Sequence, residues 1–331
     1  MRIHLFVFWQ FTLLALPVFA QATNDTWTDQ SPHKEAFVRV NGTSLEYLDW
    51  GGSGIPLLFL AGLGNTAHIF DDMAPKLTNH FHVLGLTRRG YGKSDRPETG
   101  YDTGTLVEDI HQFLDALKIK RVILVGHSFA GMELSRFAVL YPDRVDKLVY
   151  LDCAYSYDQP GTMEVLSQVD SLTPHPSTTD RANFSSLRQW FKNNRPGWND
   201  ACESDFRNTR VFTTSGGYSG HGSTPDVVED TLVKGFMEFH PEYVKLTAPV
   251  LAFYADHQLE KLVAQADDAS RKKAAEIAKS GRDWQRNQIE RFKQEVKNSQ
   301  ILELPDTDHF CFIQRQDEVV RQMQSFLNKQ H

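Results

Sequence analysis

The chain has 331 residues, of which 40% are hydrophobic and 23% are charged, and its formal net charge is −7 at pH 7. This length suits one large domain carrying an insertion, and the composition is ordinary for a globular protein, which excludes the disordered and fibrous classes. Binding to a phosphate backbone requires clustered Lys and Arg, so the acidic balance argues against a nucleic-acid partner.

The first twenty residues have the features of a signal peptide. Arg2 precedes an apolar stretch from Leu5 to Leu16, and Val18-Phe19-Ala20 places small or aliphatic residues where a signal peptidase cuts. The apolar stretch is too short to span a bilayer comfortably, and no basic flank follows it. We therefore expect cleavage of residues 1–20 near Ala20, which gives an exported protein, periplasmic or secreted, with no membrane span.

The remaining chain begins with a predicted β-hairpin and continues as alternating strands and helices. Asn41-Gly42 separates two short alternating runs, Ala36 to Val40 and Ser44 to Trp50, as a tight turn would. The later predicted strands are 55–60, 81–86, 122–125, 147–151, 249–254 and 301–304, and the predicted helices are 70–77, 103–117, 132–140 and 318–327. Buried strands that alternate with amphipathic helices indicate an α/β fold whose mostly parallel sheet is covered by helices on both faces.

This alternation is interrupted once. Residues 155–247 are rich in Ser, Thr, Asn, Gly and Trp, and helices are the only regular elements that they predict. We interpret them as a mainly helical cap inserted between a first core part, residues 21–154, and a second core part, residues 248–331. A charged, alanine-containing stretch at 259–297 predicts surface helix within the second part.

The sequence Gly126-His127-Ser128-Phe129-Ala130-Gly131 follows one predicted strand and precedes a predicted helix. A serine hydroxyl becomes a useful nucleophile only when it is held beside a base and near backbone N–H donors. A sharp strand-to-helix turn flanked by small residues achieves this, because two backbone segments can then approach the serine without a clash. The pattern predicts Ser128 as a nucleophile, and the alternative is an ordinary Gly/Ser turn.

His309 is the candidate base. It lies in the sequence Asp306-Thr307-Asp308-His309-Phe310, directly after the last predicted strand. Histidine can take up and return a proton near neutral pH, which suits it to activate a serine. Loops at the carboxyl ends of parallel strands lie along one edge of the sheet, so we expect His309 and Ser128 to project into one crevice.

Together these segments resemble the α/β-hydrolase fold family, in particular its members with a serine nucleophile and an inserted cap, whose catalytic residues follow the chain order nucleophile, acid, histidine. The resemblance covers the chain from the hairpin onward, except the cap. It implies an oxyanion hole formed by the backbone N–H groups of Phe129 and of Leu63, the latter in the Ala61-Gly62-Leu63-Gly64 loop. The strand-to-helix turn at residues 126–131 is called the elbow below. The resemblance also implies that the loop from Thr87 to Asp95 packs beside the elbow and braces it.

The resemblance leaves two aspartates as candidates for the acid. Many members carry it in a Gly-x-x-Asp pattern after the strand predicted here at 249–254, where this chain has Ala255-Asp256-His257-Gln258. Gln258, at the expected acid position, cannot hold a negative charge against an imidazolium. Asp152, at the end of the strand before the cap, is the position from which some members, including haloalkane dehalogenases, supply the acid. We favour Asp152 because Asp256 is out of register, and Asp256 is the alternative.

These residues predict a serine hydrolase acting on a small carboxylic ester or related acyl substrate through an acyl-enzyme. C–C bond hydrolase, lactonase and amidase activities would use the same triad and stay open, as does a catalytically silent ligand-binding protein, given Gln258. Epoxide hydrolases and haloalkane dehalogenases of this fold have Asp where this chain has Ser128, which argues against both. The sequence indicates no cofactor and no metal, predicts a small-molecule partner, and leaves the oligomeric state open.

The three cysteines, Cys153, Cys202 and Cys311, have neither C-x-x-C spacing nor a His-rich context. They therefore indicate neither a zinc site nor a disulfide framework. We expect buried thiols, and one disulfide in an oxidising compartment is the alternative.

Overall fold

The structure is a computed structural model that describes residues 27–210 and 226–329. The signal peptide expected at residues 1–20 lies outside the described residues, so it stays a prediction. Within the described part of the chain, no helix is both long and apolar enough to cross a bilayer.

An eight-stranded sheet forms the centre of the fold, in the spatial order β1-β2-β4-β3-β5-β6-β7-β8. Its strands are β1 (Lys34–Val40), β2 (Thr43–Gly51), β3 (Ile55–Leu60), β4 (Phe81–Leu86), β5 (Val122–His127), β6 (Val145–Leu151), β7 (Val250–Ala255) and β8 (Ser299–Leu304). The pairs from β4 to β8 are parallel, whereas β2 pairs antiparallel with both β1 and β4. The predicted α/β fold with a mostly parallel sheet is confirmed, as is the hairpin, whose turn residues Asn41 and Gly42 both have positive φ.

Ten α-helices lie within the described residues. They are α1 (Thr103–Ala116), α2 (Ala130–Leu140), α3 (Thr162–Asp170), α4 (Phe184–Asn194), α5 (Asp200–Thr209), α6 (Asp226–Met237), α7 (Leu259–Gln265), α8 (Arg271–Glu295), α9 (Cys311–Gln314) and α10 (Gln316–Leu327). Asn199 caps α5 by accepting the N–H of Cys202, and this asparagine is a helix-start signal that the sequence analysis did not use.

Two helix predictions differ from the structure. The helix predicted at 70–77 is wrong: two 3₁₀ turns, Ala67–Phe70 and Ala74–Leu77, occupy this region, because Pro75 has no N–H to continue a helix and disfavours helical backbone before it. The stretch 259–297 forms two helices instead of one. Its break falls where the Asp267 carboxylate accepts the N–H of Ser270 and so favours the start of α8.

Helices cover both faces of the sheet, and alternate residues of each central strand pack against opposite faces. In β3, Leu58 and Leu60 join the hydrophobic cluster that contains Phe137 of α2, whereas Leu57 and Phe59 join the cluster on the other face. Every residue of β5 and of β7 is buried. This two-sided burial explains why these strands are unbroken apolar runs in the sequence.

Helices α3 to α6 lie between β6 and β7 in the chain, within the segment predicted to be a cap. Helix α3 contacts α8, and α5 contacts the 3₁₀ turn at Ala67–Phe70 that follows β3. The described part of residues 155–247 is therefore mainly helical and packs on core elements. The boundaries of the cap and of the two core parts stay predictions.

All three cysteines are buried and none forms a disulfide. The Sγ of Cys153 donates to the carbonyl of Gly126 at 3.0 Å, which ties the end of β6 to the end of β5. Burial raises the pKa of each of the three thiols, so none has the character of a reactive thiolate.

Candidate active site

Ser128 occupies a sharp turn between β5 and α2. Its φ is +54°, a left-handed conformation that a non-glycine residue adopts only when its surroundings hold it there. The turn fits because its neighbours are small: a Cβ on Gly131 would lie 2.0 Å from the carbonyl oxygen of Cys153, and one on Gly62 would lie 3.0 Å from the Cβ of Ser128. This geometry lifts the Ser128 side chain off the strand and the helix that flank it.

Asp152 directly follows β6, also has a positive φ of +50°, and is fully buried. Its Oδ2 lies 2.7 Å from Nδ1 of His309, and its Oδ1 accepts the hydroxyl of Tyr155 at 2.5 Å and the N–H of Ala255 at 3.1 Å. Burial alone would raise the pKa of this carboxyl, but the charge of His257 and the bonds from His309 and Tyr155 lower it to about 2. Asp152 is thus an ionised carboxylate placed against the histidine.

Asp256, the alternative acid, is exposed, and it forms neither a hydrogen bond nor an ion pair with His309, whose Nδ1 is paired with Asp152. Its carboxylate accepts the N–H groups of Gln258, Asp306 and Thr307, at 3.0, 2.9 and 3.2 Å. Asp306 and Thr307 belong to the loop that carries His309. Asp256 therefore braces this loop at a distance from the imidazole.

His309 contacts the acid and lines the same cavity as the candidate nucleophile. Besides its bond to Asp152, its backbone carbonyl lies 2.9 Å from Nε2 of His127, the residue just before Ser128. Ser128 and His309 line one cavity of about 240 Å³. The remaining wall of this cavity is mostly apolar and includes Tyr155, Tyr157, Val165, Leu166, Val169 and Trp284.

The two predicted oxyanion residues lie together beside the elbow. Leu63 packs against the small hydrophobic cluster that contains Phe129, and a Cβ on the preceding Gly62 would lie 3.0 Å from the Cβ of Ser128. Backbone N–H groups at this place can donate to an oxygen that becomes negative at the reacting carbonyl.

Arg88, in the loop predicted to brace the elbow, connects both sides of this arrangement. Its guanidinium donates to both carboxylate oxygens of Glu133 in α2, at 2.8 and 2.6 Å, and to the carbonyl of Ala61 at 3.0 Å. It also lies 4.7 Å from the ring centroid of Phe129. One buried bidentate arginine therefore fixes the loop of Leu63 relative to the helix that starts at the nucleophile.

Asp205 is a site residue that the sequence analysis missed. It belongs to α5 and is fully buried, and its carboxylate accepts the side-chain amide of Asn65 at 2.6 Å. It also accepts the backbone N–H and the hydroxyl of Thr66, at 2.7 and 3.0 Å. The inserted segment thereby holds the loop that carries Leu63, through a contact that no local sequence pattern signals.

If the site hydrolyses esters as the sequence predicts, replacing Asp205 by Ala should lower kcat roughly 10- to 100-fold with a smaller change in KM, since displacing an oxyanion donor acts mainly on the transition state. Asp205→Asn keeps an acceptor and should recover part of the loss. The exposed Asp200 of the same helix provides the control, and Asp200→Ala should retain wild-type kinetics. Equal kcat for wild type and Asp205→Ala, measured on folded protein, would contradict this role.

His257 is a second missed residue. Its Nε2 lies 3.3 Å from Oδ2 of Asp152, and its ring stacks on that of His309 with a centroid distance of 6.0 Å. Both His257 and Gln258 have positive φ, so the chain after β7 is held in a strained turn that presents the imidazole to the acid. Two histidines therefore share one carboxylate.

A cluster outside the lining of the Ser128 cavity has the residue types of a metal site. The side chains of Asp29, His33, His68 and Asp71 place potential ligand atoms within 4.8 Å of one another. They hydrogen-bond among themselves: Asp71 lies 2.8 Å from Nδ1 of His33 and 3.0 Å from Nδ1 of His68. Burial alone would lower the pKa of His68, but its bonds to Asp29, Asp71 and Glu46 raise it to about 11. These side chains form a buried network of ion pairs and hydrogen bonds that fastens residues 29–33 to the core.

This network should make stability depend on pH in alkaline solution. Because the pKa of His68 is higher in the folded state than in the unfolded state, protonated His68 stabilises the fold. This contribution is complete below the unfolded-state pKa near 6.5, and it is lost as the pH rises toward 11. The free energy of unfolding should fall by up to about 1.4 kcal/mol per pH unit between pH 7 and 10, and the fall should be flatter in His68→Gln. Urea unfolding at several pH values measures this free energy. His80→Gln, which replaces an exposed histidine, is the control. Parallel curves for wild type and His68→Gln would disprove the assignment.

Comparisons with known proteins agree with this fold. A family model described as the α/β hydrolase fold matches residues 55–219. The chain is 36% identical over 112 residues to a non-heme chloroperoxidase from Streptomyces lividans, and the match covers 33% of this chain and 41% of the relative. It is 35% identical over 101 residues to a 2-(acetamidomethylene)succinate hydrolase from Mesorhizobium japonicum, and this match covers 30% of this chain and 36% of the relative.

A crystal structure of E-2-(acetamidomethylene)succinate hydrolase superimposes with a TM-score of 0.67 at 19% identity, over 90% of this chain and 100% of that one. The chain belongs to the α/β-hydrolase fold family. The matches in sequence span less than half the length of the two curated relatives.

Proposed function

We propose that the protein is a serine hydrolase that cleaves a small carboxylic ester or a related acyl substrate through an acyl-enzyme. The observation that carries this proposal is the 2.7 Å contact between Nδ1 of His309 and the buried carboxylate of Asp152, next to Ser128 in its strained turn. A nucleophile, a base and an orienting acid in this chain order are the components of a serine triad.

The mechanism follows from the roles of these groups. His309 takes the hydroxyl proton of Ser128 as Oγ attacks the carbonyl carbon, and Asp152 stabilises the imidazolium that forms. The N–H groups of Leu63 and Phe129 donate to the oxyanion. The bond to the leaving group breaks as His309 returns the proton to it, and water, activated by the same histidine, releases the acid from Ser128.

The relatives support hydrolase chemistry in general, since one of them is named a hydrolase. The ester preference comes from the cavity beside Ser128, whose wall offers aromatic and aliphatic side chains to an acyl group. Export after cleavage near Ala20 remains part of the proposal, on the sequence alone.

The alternative of a catalytically silent protein depended on Gln258 at the usual acid position. In the structure the Gln258 amide donates to the backbone carbonyl of Asp306 at 3.0 Å, and Asp152 contacts His309 instead. These contacts give Gln258 a role in loop packing and favour the catalytic interpretation.

A fluorophosphonate probe tests the proposal directly. The probe phosphonylates a serine only when a base activates it, so we expect one adduct per chain, located on Ser128 by peptide mass spectrometry. Hydrolysis of short p-nitrophenyl esters should fall in proportion as the probe modifies Ser128. No adduct on folded protein, together with no turnover across a broad ester panel, would favour the silent protein.

A further inference from the structure

Two cavities flank the imidazole of His309. The first, of about 240 Å³, contains Ser128 in its wall and is mostly apolar. The second, of about 340 Å³, is lined by His309 and His257 but not by Ser128. In acyl transfer the acyl carbon must reach the serine, whereas the leaving group must reach the proton on the histidine. The first cavity therefore suits the acyl group, and the second suits the leaving group.

The second cavity has a different chemical character from the first. Its wall includes Arg195, Lys261 and the aromatic rings of Trp190, Phe191 and Phe310. The guanidinium of Arg195 lies 4.0 Å from the ring centroid of Phe310, the residue after His309. Stacking of this kind fixes the position of a guanidinium. Arg195 has five N–H donors, so it retains donors for a ligand besides its hydrogen bond to Cys202.

The lining residues offset the positive charge of this cavity only in part. Within residues 27–210 and 226–329, neither Arg195 nor Lys261 forms an ion pair; Lys261 donates to Gln258 at 3.3 Å. Asp308 is the carboxyl group of the lining, and it accepts the N–H of Phe310. With two cations and one carboxylate, the lining has a net positive charge. This charge lies near His309, which donates the proton to the leaving group.

We propose that the second cavity binds an anionic group on the leaving side of the substrate, so that the enzyme prefers acyl esters whose alcohol or phenol carries a carboxylate. This inference rests on the proposed serine hydrolase function. The carboxylate contacts Arg195, the apolar acyl group lies beside Ser128, and the ester bond spans the space next to His309. Hydrolysis then breaks the acyl C–O bond, the leaving oxygen receives its proton from His309, and water supplies the oxygen and hydrogen that the two products need.

The test compares two esters of equal size and the same hexanoyl group. 3-Carboxyphenyl hexanoate has an anionic leaving group, and 3-carbamoylphenyl hexanoate has a neutral one. Wild type should hydrolyse the anionic ester with a kcat/KM about 10-fold higher, as one charge-assisted contact provides. Arg195→Gln should reduce this preference to less than about 2-fold, because only the anionic ester loses a charge-assisted contact.

Two variants serve as controls for charge and for packing. Lys192→Gln removes an exposed positive charge three residues before Arg195 and outside this cavity, and it should keep the full preference. Arg195→Lys keeps the charge and should retain part of the preference. Because each variant is judged by a ratio of two substrates, a general loss of folded protein cancels.

The outcomes separate the inference from the proposed function. If Ser128 is labelled by fluorophosphonate and the neutral ester is cleaved as fast as the anionic one, the inference fails and the proposed function stands. A preference for phenyl monoadipate, whose charge is on the acyl side, would show that the two cavities are assigned the wrong way round and would also overturn it. If Ser128 is not labelled and no ester is cleaved, the proposed function itself fails.

Discussion

Replacement of Ser128 by Ala is expected to reduce kcat for p-nitrophenyl ester hydrolysis by roughly 10⁴-fold or more, because the covalent route through the acyl-enzyme is lost. Fluorophosphonate labelling should vanish in the same variant. The residual rate is expected from the proposed oxyanion donors, the N–H groups of Leu63 and Phe129, which would still stabilise attack by water. KM should change little, since the cavity that holds the acyl group keeps its wall.

A matched control for this variant is Ser135→Ala. Ser135 is a buried serine in the helix that follows the elbow; its hydroxyl bonds to the carbonyl of Gly131 and to Tyr150, and it lies outside the cavity. Its loss should cost some stability and leave labelling intact. If Ser128→Ala retained esterase activity while folded, Ser128 would not be the nucleophile.

Replacement of Asp152 by Asn should lower kcat by roughly 10³- to 10⁴-fold at neutral pH, because an amide can neither stabilise the imidazolium nor hold His309 in the productive tautomer. The loss should extend across the working range, since the pKa of Asp152 near 2 keeps the wild-type carboxylate ionised throughout. Steady-state kinetics on both variants, Asp152→Asn and Asp256→Asn, would identify the acid.

Asp256→Asn is the appropriate comparison because both aspartates follow neighbouring strands of the sheet. Asp256 braces the loop of His309 through backbone N–H groups, so its replacement should cost less than about 10-fold in kcat, the scale of a lost bracing bond. Circular dichroism and melting curves should show both variants folded. A large loss from Asp256→Asn with little effect from Asp152→Asn would reverse the assignment of the acid.

Much of the fold was predictable because its signals are local. Strand β3 has the bounds that its apolar run predicts, and the hairpin turns at Asn41-Gly42. The candidate nucleophile and base were also accessible, since Ser128 lies in a short motif and His309 follows the last strand. A parallel sheet then brings such loops to one edge, whatever the residues between them.

The remainder of the site depends on contacts between distant residues. Asp205 meets Thr66 across 139 positions of sequence, and the bond from Gln285 to Tyr155, which itself bonds to Asp152, spans 130. No periodicity or motif encodes such pairs, because the packing of the insertion on the core determines which residues meet. The strained turn at His257 is equally hidden, since the sequence Asp-His-Gln has no glycine to signal a positive φ.

The bond network of Asp205 has a consequence for attempts to exchange parts between related enzymes. If the inserted segment only covered the cavity, exchanging it between related enzymes would change which substrates enter and would leave the rate of reaction unchanged. Here the transplanted piece would also have to supply a carboxylate facing Asn65 and Thr66. Grafts that omit it would produce chimeras with the new selectivity and poor turnover, and restoring that single aspartate would be the first repair to make.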